Sequence, residues 1–203
     1  SHIPAQRVEG EGEKVQVKVC GLMGGHSGAE IDKNRANANK LMGRFLYGLK
    51  KKAEYALISL TGGQKDNAIT RECTAEFLTD SVAEVKAYAK ELQEQLREEY
   101  TGSDENITFE ITEKGTATAE VLHPTSQEKI VFYLQNVPFG IQKMSGTIKG
   151  LVETSSNIGI LRLDRDELFA SSSVRSSVDA ACSALSDKIE YLTEFLGGDY
   201  EVQ

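Results

Sequence analysis

Val15-Gln16-Val17-Lys18-Val19 alternates apolar and polar positions without a break, the period of a half-buried strand. Past a glycine-rich stretch the period changes. Ala38, Leu41, Met42, Phe45 and Leu49 recur at helical spacing and predict a helix near 34–51. Its N-cap is expected at Asp32, or in a capping box of Ser27 and Glu30. Residues 55–60 and 72–79 read as strands on either side of a loop at 61–67. Asp80-Ser81, with Glu84 completing a capping box, opens a second helix whose stripe is Val85, Tyr88, Ala89, Leu92 and Leu96. Ile107, Phe109 and Ile111 then alternate with polar neighbours as a fourth strand. The order β-α-β-β-α-β is that of a ferredoxin-like unit.

The remainder loosely repeats this order. A strand is expected at 116–121, and a short helix opened by Thr125 and Glu128 ends before Pro138. Strands follow at 151–154, 158–163 and 168–174. A helix at 177–196 turns Ala181, Leu185, Ile189, Leu192 and Leu196 inward, Gly197-Gly198 stops it, and a last strand is expected at 200–202. The predicted fold is α+β: two fused ferredoxin-like half-units, about 12–113 and 114–203, with a mainly antiparallel sheet and helices on one face.

Composition narrows the function classes. The 203 residues, 39% of them hydrophobic, suffice for one sizeable core or two small fused ones. No apolar run approaches the ~20 residues of a membrane span, and the N-terminus lacks the pattern of a secretory leader. The net charge of −8 argues against nucleic acid. Lys50-Lys51-Lys52 reads as the basic end of a helix. The three cysteines, Cys20, Cys73 and Cys182, lack metal spacing and suit a reducing compartment, so a cytoplasmic location is expected, with Cys20 and Cys182 as buried thiols.

The candidate chemistry centres on Gly24-Gly25-His26-Ser27-Gly28, between the first strand and the first helix. In a ferredoxin-like half the loops after the first and second strands open at the same end of the sheet, so His26 and Asn67 are expected to converge. Two readings stand for His26: a ring bonding the backbone of its own loop, or a donor to a developing oxyanion. As a metal ligand it lacks company, since no His-Glu-x-x-His, paired histidines at helical spacing or Cys-x-x-Cys occurs. The loop is neither a phosphate loop nor a nucleophile elbow. Asn67 reads as a turn residue or a binding one. Arg175 precedes a helix start, against the dipole preference, and its fork suits a carboxylate. His123, before Pro124, reads as structural, and His2 is expected in a disordered terminus.

Gly24-Gly25-His26-Ser27-Gly28, with Asn37-Ala38-Asn39-Lys40 after it, resembles the aminoacyl-histidine dipeptidases, a group within the di-zinc aminopeptidases and carboxypeptidases that carry a lid or dimerisation domain. Asn67-Ala68-Ile69-Thr70-Arg71-Glu72 is similar to that group's Asn-Ala-Ile-Pro-Arg-Glu string, with Thr70 in place of proline. Gly150-Leu151-Val152-Glu153-Thr154-Ser155-Ser156-Asn157 and Ser173-Val174-Arg175-Ser176-Ser177 extend the resemblance over nearly the whole chain.

The resemblance implies that residues 1–203 are a single lid domain of a larger zinc-dependent dipeptidase that cleaves Xaa-His dipeptides. It implies two zinc ions and a general-base Glu on a catalytic domain of the same polypeptide whose motifs do not occur here, so this segment alone is expected to be inactive, with no metal site of its own. His26 matches the lid histidine that stabilises the carbonyl oxygen of the tetrahedral intermediate, while Asn67 and Arg175 match residues that hold the substrate's C-terminal end. The implied partners are that catalytic domain, the dipeptide and a second copy in a homodimer, with no nucleic acid and no membrane. The alternative reading is a non-catalytic ferredoxin-like module for interaction, dimerisation or small-molecule binding.

Overall fold

The computed structural model describes residues 1–203. Strand β1 (His2–Pro4) precedes β2 (Arg7–Cys20), the two-residue β3 (Gly25–His26), a 3-10 turn at Ile31–Lys33, α1 (Ala38–Leu49) and β4 (Ala56–Gly62). The two-residue β5 (Ala68–Ile69), β6 (Cys73–Thr79), α2 (Val82–Glu99) and β7 (Thr108–Leu122) follow. The chain continues through α3 (Pro124–Asn136), β8 (Gly140–Met144), β9 (Val152–Leu163), β10 (Glu167–Ser176) and α4 (Asp179–Phe195). Eight strands form one antiparallel sheet in the order β1-β10-β9-β4-β6-β2-β7, with β8 also on β9, while β3 and β5 pair separately.

Alternation along the strands decides which face is covered. Val15, Val17 and Val19 of β2 and Cys73, Ala75 and Phe77 of β6 are buried in one cluster with Leu41, Met42, Phe45 and Leu49 of α1, Leu92 and Leu96 of α2 and Ile130 and Leu134 of α3. The intervening Lys14 and Glu76 face the other way, where Glu76 pairs with Lys14 and Lys114 at 3.1 and 3.2 Å. The fold is therefore α+β with a mainly antiparallel sheet and helices on one face, as expected. The run β7-β2-β6-β4 has the neighbour order of a ferredoxin-like unit.

The second half extends this sheet through β9, which pairs with β4 at Leu60–Gly62. Above the join, Lys40 of α1 donates to the carbonyls of Leu134, Gln135 and Val137 at 2.5, 3.2 and 2.8 Å. These are carbonyls that the end of α3 leaves open, so α1 caps its neighbour. Burial lowers the Lys40 ammonium to about 8.

Several boundaries differ from the sequence expectations. The strands expected at 107–112 and 116–121 are one strand, because β7 keeps pairing with β2 across a bulge near Glu13 and Val15. The strands expected at 151–154 and 158–163 are likewise one strand, β9, which begins at Val152. Its Ser155, Ser156 and Asn157 look like a loop by composition but are buried and paired with β10, and Ser155 and Ser156 also pair with β8. No strand forms at 200–202; the terminal pairing is a single bridge between His2 and Asp199. His2 is ordered within β1, its Nδ1 3.0 Å from Glu167 Oε1 and its ring tilted against Phe169.

Three caps also move. Asn37, not Asp32 or Ser27, caps α1, its side chain accepting from the Asn39 and Lys40 N–H groups. Ser81 makes no side-chain cap; its own N–H donates to Thr79 Oγ1 at 3.1 Å. α3 is capped by His123, whose Nδ1 accepts from the Thr125 N–H, while Glu128 pairs with Lys50. All three cysteines are free; Cys20 and Cys73 are buried, whereas Cys182 is only half-buried. Burial pushes the Cys73 thiol up.

Candidate functional site

Between β2 and α1 the chain makes a compact loop around His26. Gly24 and Gly25 turn through φ +67° and +141°. A Cβ would lie 2.4 Å from Arg71 Cγ at Gly24, and 2.5 Å from both Arg35 Nη1 and Glu30 Oε2 at Gly25, so both the conformation and the packing demand glycine. Glu30 Oε2 accepts from the His26 N–H at 2.7 Å and Oε1 from Arg35 Nη1 at 2.8 Å, while Arg35 also donates to the Gly24 carbonyl at 2.6 Å. The His26 amide first, then Arg35, holds the Glu30 carboxyl below the usual carboxylate range.

The expected convergence with the Asn67 loop takes the form of direct pairing. β3 and β5 run antiparallel with His26 opposite Ala68, and the Ser27 N–H donates to the Asn67 carbonyl at 2.9 Å. Asn67 is exposed, and its side-chain amide makes no hydrogen bond within the chain.

The His26 ring is exposed, yet its orientation is fixed. Nδ1 accepts from the backbone N–H groups of Gly28 and Ala29 at 3.0 and 3.1 Å. An amide N–H can only donate, so Nδ1 carries the lone pair and the neutral ring holds its proton on Nε2. Both sequence readings of His26 are thus compatible in one geometry: Nδ1 organises the loop, and Nε2–H is left as an outward donor.

Arg175 lies near the end of β10, opposite Ser155 of β9. It is exposed, with no ion pair or hydrogen bond within the chain. A Cβ on Gly28 would sit 3.1 Å from His26 Cε1 and 3.3 Å from the Arg175 guanidinium carbon. The bare Gly28 backbone therefore lets imidazole and guanidinium approach the same spot. This places a neutral N–H donor beside an unpaired cation, with Asn67 on the adjoining loop, an arrangement suited to an oxyanion and a carboxylate.

Sequence reasoning missed the support beneath these groups. Asn37 Nδ2 donates to Asn157 Oδ1 at 3.0 Å and to the Ile158 carbonyl at 2.9 Å. Asn157 Nδ2 in turn donates to the carbonyls of Asp66 and Ala68 at 3.2 and 2.8 Å, gripping the Asn67 loop from below. Thr70 Oγ1 accepts from Asn39 Nδ2 at 3.1 Å and lies 3.1 Å from the carbonyls of both Ile158 and Gly159. Asn37, Asn39, Thr70 and Asn157 are all buried. All four residues fall in the strings that carry the family resemblance, but the only physical signal among them was an asparagine immediately before an apolar helical stripe, which marks a cap.

No set of three or more His, Cys, Asp or Glu side chains is placed to hold a metal ion. No helix is long and apolar enough to cross a membrane.

Residues 17–104 match the peptidase dimerisation domain family. The cytosol non-specific dipeptidase of Escherichia coli (strain K12) is 29% identical over 204 residues, which cover 100% of this chain and 42% of that protein. Among solved structures, the aminoacylhistidine dipeptidase of Vibrio alginolyticus matches with a TM-score of 0.84 and 29% identity, over 97% of this chain and 41% of that one. The chain spans about two fifths of the length of these relatives. Along nearly its whole length the chain is similar to one segment of these dipeptidases, and the part of it that matches the peptidase dimerisation domain family is residues 17–104.

Proposed function

We propose that this chain is the lid domain of a metal-dependent dipeptidase acting on Xaa-His dipeptides in the cytoplasm, with the boundaries 1–203 and two half-units that share β7, so that the division expected between 113 and 114 falls within one strand. The observation that carries the reading is the approach of the His26 ring, held through Nδ1, and of the unpaired Arg175 guanidinium to the same point over Gly28. The relatives' names, one a cytosol non-specific dipeptidase and one an aminoacylhistidine dipeptidase, support a dipeptide substrate and the compartment, and the second favours a C-terminal histidine.

In this reading His26 donates from Nε2 to the carbonyl oxygen as it becomes an oxyanion. A donor placed for the transition state rather than the ground state acts on turnover. Arg175 takes the free C-terminal carboxylate of the substrate through its fork, and Asn67 donates its amide to the same end. The side chains present do not fit a zinc ion. The two ions that the resemblance implies belong to a catalytic domain of the same polypeptide, and no step assigned to this chain passes through them. Alone, the chain is inactive. The description of the matched family as a dimerisation domain favours a homodimer.

The test uses the full-length polypeptide and a dipeptide with C-terminal histidine, supplied as the free acid and as the C-terminal amide. The acid should be the better substrate. Arg175→Met should raise KM for the acid about 100-fold, the scale of a lost charge-assisted pair, and hardly change it for the amide. Equal effects on both substrates would remove Arg175 from the carboxylate site.

A further inference from the structure

The loop that carries His26 is closed at its base by a residue from elsewhere in the fold. Asp104 lies in the turn after α2, where its N–H donates to the Tyr100 carbonyl at 3.0 Å. Its carboxylate is buried, at 1% exposure, and has no cation within ion-pair distance. Oδ1 accepts from the Met23 N–H at 2.7 Å and Oδ2 from the Ala36 N–H at 2.8 Å. Met23 and Ala36 stand at opposite ends of the segment that holds Gly24, Gly25, His26, Gly28 and Glu30. One rigid group therefore fixes the separation of the two ends of the loop. Both bonds are charge-assisted; the one to Ala36 is buried and the one to Met23 partly so, whereas the bond of Glu30 to the His26 amide is exposed, so the clasp resists opening more than that contact does.

We propose that Asp104 is a positioning residue for His26: its carboxylate clasps Met23 and Ala36 together and so holds the imidazole at the place and angle from which Nε2–H can act. This inference rests on the functional reading of His26 given above. It assigns a role to a side chain that touches neither the ring nor the space around Arg175. The chemistry requires a carboxylate. An asparagine of the same shape offers one acceptor oxygen, and its NH2 would oppose the second backbone N–H. A loop loosened by a fraction of an ångström loses alignment in the transition state before it loses substrate affinity.

The experiment is a double-mutant cycle in the full-length enzyme with a Xaa-His dipeptide, using Asp104→Asn, His26→Ala and the combination. Asp104→Asn should lower kcat about 10- to 100-fold with KM within about twofold. Added to His26→Ala it should cost less than about twofold more, because the misplaced ring is already gone. Additive losses, or an unchanged kcat in Asp104→Asn, would overturn the proposal. Selective 15N-histidine labelling separates this failure from failure of the functional reading. Should His26→Ala leave turnover intact, the oxyanion role is lost, but a His26 Nδ1 signal that shifts toward tautomer exchange in Asp104→Asn still supports the clasp, and an unmoved signal rejects it. Should Asp104→Asn not fold, hydrogen exchange on the unmodified protein decides: Met23 and Ala36 amides that exchange slowly and at one common rate support the clasp, and fast exchange at either overturns it.

Discussion

His26 and His123 hold their rings in the same way. Each Nδ1 accepts backbone N–H groups from two or three residues further on: Gly28 and Ala29 for His26, at 3.0 and 3.1 Å, and Thr125 for His123, at 3.2 Å. Each neutral ring is thereby driven to the Nε2–H tautomer. The difference lies in their surroundings. His123 caps α3, where Pro124 at the first helical position removes one competing donor, and its role ends with the helix terminus. The turn around His26 is tied to Glu30, Arg35 and the Asn67 loop, rests on a buried amide network, and stands beside an arginine with no partner. A capping histidine becomes a candidate catalytic group through its neighbours, not through its own geometry.

The strongest way to break the comparison is to remove each ring in the full-length enzyme. His26→Ala should lower kcat about 10²- to 10³-fold with a small change in KM, the scale of one lost oxyanion donor. His123→Ala should leave kcat within about twofold and lower stability by about 1 kcal/mol, as loss of a helix cap does. Steady-state kinetics and denaturant melts on both variants separate the two roles. Equal kinetic effects would show that the surroundings of His26 confer nothing.

The next largest effect tests the support. Asn157→Leu removes the side-chain donor to the carbonyls of Asp66 and Ala68 and one of the two acceptors of the buried Asn37 amide, which keeps the Ile158 carbonyl. A loss of about 3 kcal/mol in unfolding free energy is expected. Hydrogen exchange should quicken at the Ser27 amide, which donates into the Asn67 loop, and stay unchanged at Thr125 beside His123. Uniform quickening would mean that the network serves the fold at large. A smaller effect comes from Gly28→Ala. Its methyl would press on both His26 Cε1 and the Arg175 guanidinium, at 3.1 and 3.3 Å, and force them to shift by a few tenths of an ångström. Turnover should fall about tenfold, equivalent to about 1.4 kcal/mol, with little change in melting.

This contrast also explains what could be read from the sequence. Periodicity located α1, α2 and α4 and the strands β2, β4, β6 and β10, because each buries one regular face. It failed at β9, where Ser155, Ser156 and Asn157 are small and polar yet buried, their backbones paired with neighbouring strands and the Asn157 amide bonded to distant segments, which no local pattern reveals. Alternation of strand direction was enough to bring the His26 and Asn67 loops to one end of the sheet. It could not show that they are hydrogen-bonded to each other, nor that Arg175 reaches Gly28 from a strand near the far end of the chain. The same limit hid Asn37, Asn157 and Asp104, whose partners lie on distant segments. Asn37-Ala38-Asn39 and Asn67 to Glu72 had value as family marks, and the structure gives much of their physical content: they lock loops in place.

The subtlest difference between the two histidine turns is their response to acid. The Glu30 carboxyl sits below its ordinary value of 4.5, chiefly because its ionised form accepts the His26 N–H and then Arg35. A carboxyl whose folded pKa is depressed adds stability above its unfolded value, and that contribution disappears as pH falls through the folded value. Protonation would weaken the bond to the His26 amide and the ion pair with Arg35, which keeps its bond to the Gly24 carbonyl. The His123 cap contains no carboxylate. Titration downward from pH 5 should therefore move the His26 amide resonance and quicken its exchange below pH 4.5, while the Thr125 amide keeps its position over that step. Glu30→Gln should abolish the acid transition at His26, since the side-chain oxygen still accepts but no longer titrates there. If the two amides respond together, protonation elsewhere loosens the whole fold, and Glu30 gives the His26 turn no acid sensitivity of its own.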